Sequence, residues 1–88
     1  MQRNRLLAMG ILKVVERDAG LGGISYPDLQ ERYSRMNLVW DNGESYLLAM
    51  LVEGGFLSKI EGKSLGPDIV QLTWAGHDLL DSLRAEFE

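Results

Sequence analysis

Few side chains in this sequence could perform catalysis. His77 is the sole histidine and the chain has no cysteine, which excludes thiol catalysis, disulfides and zinc sites built on thiolates. Asp78 and Asp81 follow it and have the chemistry of an acid–base pair. Because they flank a leucine pair in one helical stretch, we interpret them as a solvated face, and His77 as a packing or hydrogen-bonding residue.

A glycine-rich segment, Gly20 to Gly23, is the second feature that could carry chemistry. A phosphate-binding loop needs a strand before it, a helix after it and a lysine, and this segment has none of these. We interpret it as a turn. The sequence therefore predicts a protein that is not an enzyme, with no catalytic residues, no metal site and no cofactor.

Composition narrows the class of protein further. The 88 residues suit a single domain spanning residues 1–88, and no apolar run approaches the roughly 18 residues of a membrane span. We expect a cytoplasmic protein with no membrane partner. The formal net charge of -4 counts against a free-standing DNA-binding protein, which usually has a basic face.

The first half of the chain predicts two helices. Residues 3–18 have a helical period with a wide apolar arc, which is covered either within the domain or by a second copy. Residues 24–26 are short and extended, and Pro27 begins a helix that runs to about Arg35. Leu29 and Tyr33 lie four residues apart in that helix and should face the core.

The third helix is predicted over residues 42–54. Asp41 and Glu44 have the spacing of a capping box at its start. The preceding connection, 36–40, should place Leu38 and Trp40 in the core. The core face of the helix consists of four apolar residues, Leu47, Leu48, Leu51 and Val52.

The last third of the chain predicts a hairpin and a returning helix. A strand over 56–60, with Phe56 as its core anchor, is followed by a long loop over 61–68 and a strand over 69–72. Thr73 is a good N-cap for a helix over about 74–86. This order predicts an α+β winged helix-turn-helix: three helices, a two- to three-stranded wing sheet and a C-terminal helix.

Two segments carry a resemblance to a known family. Residues 46–57 and 72–81 resemble an uncharacterised winged-helix family of bacteria and their phages, which has a Tyr-His-x-x-Leu-Leu-x-Glu-Ala-Gly-Leu-Ile run and a Leu-Thr-Trp-x-Gly-His-x-Phe-Leu-Asp run. The chain departs from it at Leu47, Met50 and Gly54. The resemblance implies the fold and a phage or prophage setting. It implies no mechanism, because the family has no established activity.

In a winged helix the third helix usually enters the major groove of DNA. Helical geometry turns six residues away from the leucines, namely Asn42, Ser45, Tyr46, Ala49, Met50 and Glu53. Asn42, Ser45 and Tyr46 are the candidates for DNA contact. We expect this face to have three acids, Asp41, Glu44 and Glu53, and no base. Phosphate contact would therefore depend on flanking cations, which are Arg32, Arg35, Lys59 and Lys63.

Two functions remain open at this point. The first is a DNA-binding transcription regulator of phage or prophage type. The second is a protein–protein interaction module without DNA binding, which would use Tyr46, Ala49 and Met50, because aromatic residues and methionine are enriched at interfaces. For either function we expect a homodimer formed through the first or the last helix.

Overall fold

A computed structural model describes residues 2–20, 22–36, 39–62 and 66–88. The expectations for Leu38 and Lys63 fall outside these residues. The elements in chain order are helix α1 (Gln2–Asp18), strand β1 (Ile24–Ser25), helices α2 (Tyr26–Ser34) and α3 (Asn42–Glu53), strands β2 (Leu57–Ile60) and β3 (Ile69–Leu72), and helix α4 (Trp74–Phe87). The predicted order of helices and strands is confirmed.

The three strands form one antiparallel sheet in the order β1-β3-β2. Returning strand β3 lies in the middle, with Val70 opposite Ile24 on one side and Leu72 opposite Leu57 on the other. The hairpin of β2 and β3 is the predicted wing. Its third strand is the short extended segment that precedes α2.

Side-chain caps fix where the helices begin. Ser25 Oγ accepts a hydrogen bond from the Asp28 N–H at 3.3 Å, and Pro27 occupies the first turn of α2. Thr73 Oγ1 accepts from the Gly76 N–H at 3.0 Å and donates to the Gly55 carbonyl at 2.6 Å. The predicted cap of α4 is therefore confirmed, and its hydroxyl also ties α4 to the end of α3.

The apolar arc of α1 is covered within one copy of the chain. Its core residues are all buried, namely Ala8, Met9, Ile11, Leu12, Val14 and Val15. They pack in one cluster with Leu29 and Tyr33 of α2 and with Leu80 and Leu83 of α4. Each fully buried aliphatic side chain stabilises the fold by about 1.5–3 kcal/mol. A second copy is not needed to cover these residues.

The prediction that Phe56 anchors the wing in the core is confirmed only in part, because Phe56 packs against the core whereas Leu57 lies within it. Leu57 is 1% exposed, whereas Phe56 is only half-buried. The Phe56 N–H donates to the Leu51 carbonyl at 2.9 Å, and Gly55 has a φ of 83°, so Phe56 still belongs to the turn that ends α3. The strand begins one residue later, and its alternation therefore points Leu57 to the core.

Among the described residues, no helix combines the length and the apolar character needed to cross a bilayer.

Gly76 tests the packing of α4 against the wing. A β-carbon at this position would lie 2.1 Å from the Phe56 carbonyl oxygen. We expect Gly76→Ala to lower the free energy of unfolding by about 1–3 kcal/mol, because backbone must shift to admit the methyl group. Urea denaturation measures the change.

Gly22→Ala is the matched control, because a β-carbon there meets nothing within 4 Å. At Gly76, which lies inside α4, alanine without a steric clash would be favoured over glycine by about 1 kcal/mol. A Gly76→Ala protein that is about 1 kcal/mol more stable than the original would therefore contradict the close packing of α4 on residue 56.

Candidate nucleic-acid interface

The outer face of α3, defined here as Asn42, Ser45, Tyr46, Ala49 and Met50, is exposed along its whole length. Tyr46 is 70% exposed and Met50 48% exposed, both high for large apolar side chains. On the opposite side of the helix, Leu48 and Leu51 are buried in the core. The sequence-predicted candidates thus share one accessible surface, and their contacts remain a prediction.

Glu44 does not lie on this surface, which corrects the prediction of three acids on an exposed helix. Its side chain is 4% exposed. One carboxylate oxygen accepts the Tyr33 hydroxyl proton at 2.7 Å, and the other accepts from the Asp41 N–H at 3.4 Å. The capping box predicted the second bond. The first is a tertiary contact between α2 and α3, which spacing along the chain cannot reveal.

Burial of Tyr33 is the main cause that raises the pKa of its hydroxyl, and the hydrogen bond to Glu44 raises it further. Tyr33 therefore stays protonated and remains a donor at neutral pH. The hydrogen bond from its proton compensates for the burial of the Glu44 carboxylate, which would otherwise cost free energy. The acids left exposed near the outer face are Asp41 and Glu53, one at each end of α3.

Trp40 lies in the connection between α2 and α3, and its side chain contacts both helices. Its ring meets that of Tyr33 edge to face, with centroids 5.2 Å apart and planes at 86°. The prediction that places Trp40 in the core is confirmed in part, because Trp40 is half-buried and packs against the core. The indole also donates its Nε1 proton to Ser45 Oγ at 2.9 Å, a contact that the sequence pattern did not indicate.

The candidate cations on α2 are paired with acids that lie outside α3. Arg35 contacts Glu31 one turn earlier at 2.6 Å, and Arg32 lies 3.9 Å from Asp18 of α1. Both arginine side chains are exposed. Asp18 is mostly buried, whereas Glu31 is exposed like Arg35. Exposed ion pairs stabilise a protein by about 0–1 kcal/mol, so Arg35 could exchange Glu31 for a phosphate at little cost.

The wing contributes one described candidate cation. Lys59 of β2 lies 4.0 Å from Asp68, where the hairpin loop returns to β3. Lys59 also stands opposite Val70 in the middle strand. Its partial exposure allows the amine to reach outward, as a long lysine stem permits. Of the predicted cations among the described residues, Arg32 and Arg35 therefore lie on and directly after α2, and Lys59 lies on the wing.

The side chains considered for catalysis, His77, Asp78 and Asp81, are all exposed on α4. His77 is exposed, and its ring lies 6.4 Å from that of Trp74, which is 87% exposed. Across residues 2–20, 22–36, 39–62 and 66–88, histidine and acidic side chains form no group of three that could hold a metal ion.

Comparison with known proteins supports the architecture. A solved structure, a PadR-like transcription factor from Bacteroides fragilis, has a TM-score of 0.74 and 22% sequence identity, and the match covers 98% of this chain and 84% of that one. At this identity the likeness confirms the winged helix-turn-helix fold and no more. No family model and no curated protein matches the chain. The resemblance to the bacterial and phage family remains a prediction.

The bond between Tyr33 and Glu44 can be tested directly. We expect Tyr33→Phe to lower the free energy of unfolding by about 1–3 kcal/mol at pH 7, because the buried Glu44 carboxylate loses a donor. Denaturation with urea, followed by circular dichroism, measures the loss.

Tyr46→Phe removes the same hydroxyl from a mostly exposed residue on α3 and serves as the control. Its effect should stay within about 0.5 kcal/mol. Equal effects of the two substitutions on the free energy of unfolding would show that the buried hydrogen bond does not stabilise the fold.

Proposed function

We propose that this protein is a small DNA-binding transcription regulator, of phage or prophage type, in which the outer face of α3 contacts the duplex. The observation that carries the proposal is an exposed α3 surface held on a fixed junction with α2. The likeness in fold to a PadR-like transcription factor supports it. An enzymatic function has no support in the chemistry of the exposed side chains.

In this proposal the residues divide into two roles. Asn42, Ser45 and Tyr46 reach base edges or sugar-phosphate in the groove, because their side chains offer hydrogen-bond donors and acceptors. The cations contact phosphates beside α3. Arg32 lies on α2, Arg35 directly follows it and Lys59 lies on β2. Lys63, the fourth cation, is proposed from the sequence alone.

The burial of Glu44 makes the proposal electrostatically easier than the sequence indicates. A carboxylate on the outer face would repel phosphate, whereas Glu44 is bonded to Tyr33 inside the protein. The net charge of -4 still leaves little attraction over long range. We therefore propose that the binding unit is a homodimer, which doubles the number of phosphate contacts.

One surface suits a second copy. Helices α1, α3 and α4 border an open groove of about 170 Å³, lined by Arg5, Ala8, Leu47, Leu51, Leu79 and Leu83. Leu47 and Leu79 are only half-buried there. In a twofold dimer the same groove of each copy lies at the interface, so each copy covers the apolar lining of the other. In this proposal both terminal helices contribute to the contact.

A protein partner on the outer face of α3 is the competing proposal. The exposure of Tyr46 and Met50 favours it, since such side chains concentrate at interface centres. DNA binding depends more strongly on salt than protein binding does, so the salt dependence of binding distinguishes the two proposals.

The DNA proposal predicts salt-sensitive binding to a duplex of random sequence. At low salt the protein should bind, and the affinity should fall steeply as salt rises, because cations released from phosphates drive the association. Fluorescence anisotropy of a labelled duplex measures it. Arg35→Gln and Lys59→Gln should each weaken binding by about threefold to tenfold.

Lys13→Gln is the matched control, since it makes the same change in net charge at a residue that contacts Glu88 on the α1–α4 side. It should leave the affinity within about twofold. A wild-type protein that binds no duplex at low salt would overturn the DNA proposal. If a protein partner is then captured and lost in Met50→Asp, the competing function is supported.

The homodimer predicts a molar mass of twice 9.9 kDa at micromolar concentration. Leu79→Lys should reduce the mass to that of one chain, because a charge in the groove opposes apolar burial. Sedimentation equilibrium measures both proteins. Trp74→Lys, at a mostly exposed residue outside the groove lining, should leave the mass unchanged. A monomeric wild-type protein contradicts the proposal.

A further inference from the structure

The contact between Trp40 and Ser45 has a defined direction. An indole N–H can only donate, whereas a serine hydroxyl can accept and donate. At 2.9 Å the Trp40 Nε1 proton therefore occupies a lone pair of Ser45 Oγ. The hydroxyl proton of Ser45 must point elsewhere.

The surroundings of Ser45 allow its hydroxyl proton to point toward solvent. Ser45 lies on the outer face of α3 and is exposed. Its backbone N–H donates to the Asp41 carbonyl at 3.1 Å, within the first turn of the helix. Among the described residues, no acceptor takes the Ser45 hydroxyl proton.

The Trp40 ring also contacts α2, on the side away from Ser45. Its ring packs edge to face on Tyr33, which is fully buried and bonded to Glu44 of α3. The indole position therefore depends on the same junction that sets the direction of α3. A fixed donor restricts the rotation of the serine hydroxyl that accepts from it, which lowers the entropy lost when the hydroxyl binds.

From this geometry we infer that Trp40 is a positioning residue, which presents the Ser45 hydroxyl as a hydrogen-bond donor to an acceptor oxygen of the DNA backbone. The inference rests on the proposed function and adds a specific role to a residue that does not itself touch the duplex. Phosphate oxygens only accept hydrogen bonds, so a serine oriented as a donor matches them.

The test is a double-mutant cycle on duplex affinity at low salt. Trp40→Phe keeps an aromatic ring beside Tyr33 and removes the N–H, and Ser45→Ala removes the hydroxyl. We expect each to weaken binding of a random duplex by about twofold to tenfold, the range for one neutral hydrogen bond. The double variant should bind no more weakly than Ser45→Ala, because Trp40 acts only through Ser45.

Trp74→Phe is the matched control, since it makes the same change at the other tryptophan, which is mostly exposed on α4. It should leave the affinity unchanged. Nuclear magnetic resonance supplies a readout independent of DNA. The Trp40 indole proton should exchange slowly with water in the wild-type protein and faster in Ser45→Ala, while the Trp74 proton stays the same.

The outcomes separate the inference from the proposed function. A wild-type protein that binds no duplex overturns both. Binding that Trp40→Phe leaves unchanged while Ser45→Ala weakens it overturns the inference alone, as does a double variant whose loss is the product of the single losses. Urea denaturation confirms that each variant is folded at the temperature of the titration.

Discussion

A buried carboxylate determines the geometry of the helix-turn-helix in this protein. Glu44 accepts the Tyr33 hydroxyl with one oxygen and the backbone N–H of Asp41 with the other. A buried acid without partners is strongly unfavourable, so other angles between α2 and α3 that separate Glu44 from Tyr33 are disfavoured. The same contact orders the connection between the helices, because Trp40 packs on the ring of Tyr33.

This arrangement also changes the charge of the surface. Burying Glu44 leaves the outer face of α3 uncharged between Asp41 and Glu53. The cations nearest in sequence lie on α2 and the wing, and their exposed ion pairs can be exchanged at little cost. The structure therefore provides a neutral outer face on α3 with cations on neighbouring elements, a distribution of charge that the net charge of -4 does not reveal.

Much of the fold followed from local signals in the sequence. The capping residues Asp41 and Thr73 located the starts of α3 and α4, and the apolar period of residues 3–18 indicated α1. These signals act within one turn of the chain, so they survive without tertiary information. The sequence favoured Phe56 over Leu57 as the core anchor because the turn that ends α3 and the start of β2 lie within two residues of each other. Only the hydrogen bond from the Phe56 N–H to the Leu51 carbonyl assigns Phe56 to the turn.

The sequence by itself determined the order of elements and the side of α3 that faces outward, because helical geometry relates residues three and four positions apart. Only the tertiary structure decided that Glu44 is buried on Tyr33, that Trp40 donates to Ser45, and that β3 lies between β1 and β2. Tyr33 and Glu44 are eleven residues apart and belong to different helices. Contacts of this kind depend on how whole elements pack, which no local pattern encodes.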